Sequence, residues 1–220
     1  DLRGFVFKSK SPSSGMRDVK IYSAAGMPVA RGAGLFARAF MARFPLLPVE
    51  DDGRLHDPHL RENFLERVFT YDRWRRYETD DASRRGLVAF HTRHKLLLMC
   101  HRPAAVAELG RLVARSGPKS LATLRAEYLS GLMAALAVPA TVRRHTNVLQ
   151  HIMGYFKRQL DADEKAELGE VIGAYHAGQV PLVVPVTLLR HYVRKYDQPY
   201  LRDQVYLSPC PAELMLRNHA

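Results

Sequence analysis

The sequence predicts a mainly α protein: a helical bundle over residues 83–220, preceded by an incomplete α/β remnant over residues 1–52, with residues 53–82 as connecting helix and linker. Three observations carry this. From residue 83 onward, apolar residues recur at three- and four-residue spacing between capping and proline signals, the pattern of amphipathic helices. Before residue 53, short apolar runs alternate with Gly- and Ser-rich turns, which is α/β grammar. Two or three strands and one helix are too few to close a doubly wound sheet. At 220 residues, 47% hydrophobic and 25% charged, the chain can build one large or two small cores and is not a disordered polymer.

In chain order, Gly4–Lys8 reads as a short buried strand, followed by the small-residue loop Ser9–Gly15, and Val19–Tyr22 as a second strand. Gly32-Ala33-Gly34 opens a helix from Leu35 to Phe44 with Leu35, Phe36, Ala39, Phe40 and Phe44 as its apolar stripe, and Pro45–Val49 forms a last strand. Glu50–Gly53 reads as a turn. Asp57-Pro58 supplies a cap and a first-turn proline for a helix reaching Tyr77, with Thr79–Ser83 as linker. Ser83 caps a helix to about His101. Others follow from Pro103 to about Gly117-Pro118, over about 119–137, 140–160 and 162–177, and from near Val184 to Tyr196. Asp161 and Glu164 give the fifth of these a cap and an acidic first turn. Short helices close the chain over Pro199–Tyr206 and Pro211–Asn218.

The net charge of +11 is unevenly spread. Residues 84–158 hold 13 Lys and Arg and two acids, Glu108 and Glu127, and so carry the whole excess. A concentrated positive field suits a polyanion, whose phosphates make binding salt-dependent. Within this segment, residues 143–158 form a two-faced helix. Val148, Leu149, Ile152, Met153, Phe156 and Leu160 fall on one side; Arg143, Asn147, Gln150, Gly154 and Arg158 fall on the other, edged by Arg144, His151 and Lys157. A solvated helix face usually mixes signs. This one has no acid. It offers cations that fork onto phosphate oxygens, amides with fixed donors and acceptors, and a glycine that lets a ligand near the backbone. A polyanion such as RNA or DNA is the expected partner, with an anionic membrane surface the lesser option, and no apolar run approaches the ~20 residues of a membrane span.

His91, Arg93, His94 and Lys95 form a second polar cluster. His94 and His101 share a helix side, but their spacing is too long for one ion and no carboxylate joins them, so no metal is expected. His145 points with Val148 and Ile152 toward the apolar side and should be buried and hydrogen-bonded. Cys100 lies in an apolar run, and Cys210 lies between two prolines; neither belongs to a metal-ligand pattern. Tyr128, Tyr155, Tyr192, Tyr196, Tyr200 and Tyr206 are interleaved with cations, and such rings can stack bases. The chain opens Asp1-Leu2-Arg3-Gly4, without a secretory h-region, from which a cytoplasmic location is expected, and without an initiating Met, from which the chain is expected to be the tail of a longer polypeptide.

Phe90–Met99, Asn147–Lys157, Val183–Leu189 and Tyr200-Leu201 resemble the YbgA-like bacterial proteins, over about residues 85–217. Lys8–Gly15 and Gly32–Phe36 resemble the end of a thiouracil desulfidase (TudS-type) domain, which commonly precedes the YbgA-like domain. That resemblance implies a [4Fe-4S] cluster on three cysteines whose open iron accepts sulfide, and removal of sulfur from thiouridine in transfer RNA by full-length relatives, with the helical domain gripping the RNA. It also places Ser11 beside the substrate. The family loop reads Ser-Pro-Ser-Cys-Gly, however, and here the cysteine position is Ser14. A hydroxyl replaces a soft thiolate poorly on iron, so no cluster and no catalysis are expected of this chain alone. A rival reading gathers His91, His94, Asn147 and His151 into a small-molecule or catalytic pocket. A second rival is a protein-docking module with exposed apolar area on residues 181–207.

Overall fold

The computed structural model describes residues 2–114 and 120–218. The chain divides into two units, Asp1–Arg73 and Trp74–Ala220, with the division inside a long helix.

In the first unit, β1 (Phe5–Phe7) pairs in parallel with β4 (Val49–Asp51), Phe5 facing Val49 and Phe7 facing Asp51. The hairpin of β2 (Val19–Tyr22) and β3 (Pro28–Gly32) is a separate antiparallel pair. β3 was not legible in the sequence. β4 begins later than expected because Pro45 and Pro48 bring no amide donor to a ladder. Glu50 and Asp51, expected in a turn, are buried strand residues. Fixed partners make that burial tolerable: Glu50 pairs with Arg54 at 2.8 Å, and Asp51 accepts from the Ser9 hydroxyl and from the Gly53 N–H.

Helix α1 (Leu35–Arg43) packs its start on the serine loop. The Ala37 N–H donates to Ser13 O, and a Cβ at Gly34 would lie 2.3 Å from that oxygen, so only glycine fits. Its expected stripe is only partly inward. Leu35 is 71% exposed, Phe36, Ala39 and Phe44 are also exposed, and Ala37 is the buried residue. Phe5, Phe7, Phe36 and Phe40 nevertheless meet as rings, the Phe5 and Phe40 centroids 4.6 Å apart. Helix α2 (Pro58–Asp80) starts where the Asp57 carboxylate accepts from the His59 and Leu60 N–H groups. It runs one turn past the expected end, leaving a shorter connection than Thr79–Ser83.

Among the described residues, the second unit is helical throughout, with no strand. It comprises α3 (Arg84–His101), α4 (Pro103–Ala114), α5 (Leu121–Leu136), α6 (Val142–Tyr155), α7 (Ala162–His176), α8 (Val183–Lys195) and α9 (Pro199–Arg202). Ser83, Ser120 and Thr141 cap their helices by accepting a backbone N–H, and Asp161 with Glu164 completes a capping box. The expected end of the helix that starts at Pro103 lies outside the described residues. α3 is the hub, packed against α4, α5, α6 and the 3₁₀ turn Val205–Leu207. Trp74 stacks on Tyr128 at 5.6 Å within the core around α3 and α5. The buried Gln204 amide donates to Thr92 O and accepts from the Leu96 N–H, the two ends of one α3 turn, and so clips the C-terminal segment to the hub.

α6 is shorter than expected. After Tyr155 the chain tightens, with Phe156 N–H donating to Met153 O and Gln159 N–H to Phe156 O. Phe156 and Leu160 are still buried, so the expected apolar positions hold while the helix does not continue through them.

Candidate nucleic-acid interface

The inward side of α6 is anchored by fully buried Val148, Leu149 and Ile152. The outward side presents Arg143, Asn147, Gln150, His151 and Gly154, all exposed, and the turn beyond it presents Lys157 and Arg158. Arg143, Asn147, Gln150, Lys157 and Arg158 donate no side-chain hydrogen bond and form no ion pair among the described residues. Elsewhere in the same unit, Arg102 lies on Glu108, Arg125 on Glu78 and Lys195 on Glu164, at 2.7–3.0 Å. Arg143, Lys157 and Arg158 are thus free to meet an outside anion.

Beside this face runs an open groove of about 420 Å³ between α6 and α7. Arg143, Thr146, Asn147, Gln150 and Met153 line one bank; Gly169, Ile172, Gly173 and His176 line the other, and no acid lines either. The Thr146 hydroxyl donates to Val142 O at 2.9 Å and lies 3.2 Å from His176 Nδ1. A Cβ built on Gly154, Gly169 or Gly173 meets nothing within 4 Å. Internal packing therefore does not require these glycines, and they leave helix backbone open to a close-lying ligand. Sequence reasoning missed Thr146, Gly169, Gly173 and His176. The available signal was the pair of glycines four apart inside α7, each costing about 1 kcal/mol against Ala in a helix.

Arg144 is placed differently. Its guanidinium donates to His101 O at 2.7 Å and Pro139 O at 3.3 Å, closing the C-terminal end of α3. It is half-buried and holds the scaffold rather than the open face.

The second expected cluster does not reach the surface as one patch. His91 is 4% and His94 2% exposed. His91 Nδ1 lies 3.2 Å from the Tyr128 hydroxyl, while His94 stacks on Phe90 at 3.9 Å with Nδ1 2.7 Å from Phe90 O. Burial, helped by the charge of Lys95, holds His91 down to about 4, so the ring is neutral at pH 7 and attracts no phosphate. Only Arg93 is exposed, with Lys95 half-buried. The residues of a His91, His94, Asn147 and His151 pocket do not converge: the groove holding Asn147 is lined by none of the other three. His145 meets its expectation, buried with Nδ1 3.1 Å from the Tyr206 hydroxyl.

Residues 95–211 match the family described as "Protein of unknown function (DUF1722)". The "Uncharacterized protein YbgA" of Escherichia coli (strain K12) is 30% identical over 158 residues, which is 71% of this chain and 94% of that relative. This chain belongs to the YbgA-like family. No solved structure matches it. The family-model match over residues 95–211 contains the α6 face and both banks of the groove, and it begins after His91, Arg93 and His94. Among the described residues, no helix is long and apolar enough to cross a membrane.

In the first unit, the Ser11 hydroxyl accepts from the Ser14 N–H at 3.1 Å, so Ser11 braces its own loop. Ser14 offers an iron–sulfur cluster only a hydroxyl. The unit contains no cysteine, Cys100 is buried in the helical core, and no group of three or more His, Cys, Asp or Glu among the described residues could hold a metal ion. This donor set does not fit the cluster that the loop resemblance implies.

Proposed function

We propose that the helical unit grips RNA, transfer RNA in the first instance, through the acid-free face of α6 and the groove beside it. The observation that carries this reading is the set of exposed, unengaged cations and amides Arg143, Asn147, Gln150, Lys157 and Arg158 on a stretch that contains no acid. Arginine and lysine supply the phosphate attraction, and Asn147 and Gln150 supply directed hydrogen bonds. The open backbone of Gly154, Gly169 and Gly173 lets a sugar–phosphate strand lie close. The loop resemblance extends the reading: in full-length relatives the grip would deliver thiouridine in transfer RNA to a thiouracil-desulfidase half. No chemical step is assigned to this chain, because its residues do not fit the cluster.

A filter-binding titration of the chain with bulk transfer RNA at two salt concentrations tests the grip. Binding that weakens with salt is expected, with Arg143→Ala weakening it further and flattening the slope by about one phosphate contact. Affinity and slope unchanged in Arg143→Ala would show that the face is wrongly assigned.

A further inference from the structure

At its C-terminal end the α6 face passes from amides and cations to aromatic rings. Tyr155, the last residue of the helix, is 38% exposed and stacks on Tyr200 of α9 with centroids 5.2 Å apart and planes 17° from parallel. His151, one turn earlier and exposed, meets Tyr155 edge-on at 5.5 Å. Leu201 is fully buried and anchors α9, so Tyr200 is a fixed backing for Tyr155. Burial, then the neighbouring Tyr155, pushes the Tyr200 phenol up to about 12, so the backing ring stays neutral across the physiological range. Gly154 opens the backbone on one side of this ledge, and Lys157 and Arg158 follow on the other.

We infer that His151, Tyr155 and Tyr200 form a stacking ledge for an unpaired nucleobase, and hence that the RNA element gripped by α6 is a single strand or loop. This rests on the RNA-binding reading above. A paired A-form duplex keeps its bases stacked on one another and presents backbone to a protein surface, so a ring ledge gains nothing from it. An unstacked base gains a π-face, while its flanking phosphates reach Lys157 and Arg158 and its polar edge lies toward the amide end of α6. From Asn147 to Tyr155 is eight residues, about 12 Å along the helix, so amides, glycine, ring and cations can serve one short stretch of strand.

The test is an anisotropy titration of the full chain with a labelled oligouridylate of about twelve nucleotides and with a blunt RNA duplex of equal length, both probes chosen to isolate base stacking. The single strand should bind about tenfold or more tighter than the duplex. Tyr155→Ala should lower single-strand affinity about tenfold, the loss of one stacked base, and leave duplex affinity and salt slope unchanged. Tyr155→Trp should retain wild-type affinity, which separates stacking from a packing role. Equal losses on both probes, or no loss in Tyr155→Ala, would overturn the ledge while the RNA grip stands. Failure of the wild-type chain to bind transfer RNA or either probe would overturn both.

Discussion

His91 and Arg144 carry the atoms for a phosphate contact and use them inside the fold. For His91 the consequence is a pH dependence of stability. Its folded pKa of about 4 lies below the ordinary 6.5, so the unfolded chain binds the extra proton between those values. The stabilisation from keeping this ring neutral is therefore complete above about pH 6.5 and is lost as pH falls through about 4, a change of roughly 3 kcal/mol at 1.36 kcal/mol per pH unit. Urea midpoints measured from pH 7 to 4 should fall for the wild type and fall less for His91→Gln; parallel curves would reject the assignment. Arg144→Ala removes two bonds to backbone carbonyls, one at the end of α3 and one in the connection before α6, and should lower stability by about 1–3 kcal/mol, whereas Arg143→Ala should leave thermal unfolding unchanged. The two adjacent arginines thus separate in one experiment: one variant reads out in the melting curve, its neighbour in RNA affinity.

Among the elements, α7 is the informative one. Its capping box and acidic first turn were plain in the sequence, because a cap is made by residues three apart. Its glycines make a second statement. Gly169→Ala and Gly173→Ala add a methyl where nothing lies within 4 Å, so each should stabilise the helix by about 0.5–1 kcal/mol. The same methyls narrow the α6–α7 groove and should weaken RNA binding. A rise in melting temperature with unchanged affinity would mean that nothing approaches α7 closely. α8 shows how a local rule bends without breaking: Pro185 is the third residue of the helix, in the first turn, where a missing N–H leaves no intrahelical bond unmade. The protein-docking reading of residues 181–207 finds little support, since Val186, Leu189, Tyr192, Val193 and Tyr206 are buried in the bundle.

Taken whole, the molecule concentrates its excess charge on one segment, but the segment does not act as one patch. Arg102 and Arg125 are paired with acids, Arg144 caps a helix, and His91 and His94 are interior. What remains at the α6 face is three free cations, Arg143, Lys157 and Arg158, and charges further than a Debye length of about 8–10 Å contribute little at physiological salt. The expected slope of log affinity against log salt for a single strand is therefore about −2, from roughly −0.7 per phosphate contact, and not the steep value that a net +11 suggests. Neutralising all three cations should bring the slope near zero; a slope that stays steep would place the grip elsewhere.

The sequence by itself determined the helical class, most helix starts, the acid-free outer face of α6 and the burial of His145. Each is set by caps and spacings within a few residues, where backbone geometry alone decides. Only the tertiary structure decided which polar residues face out. His91 is interior because Tyr128 comes to it from 37 residues away, Arg144 is a brace because His101 O lies 43 residues back, and Gln204 clips Thr92 from 112 residues on. It also decided that α7 completes a groove beside α6, and that most of the α1 stripe stays exposed. Helical periodicity marks a side, but contacts between distant residues determine whether that side meets core, groove or water.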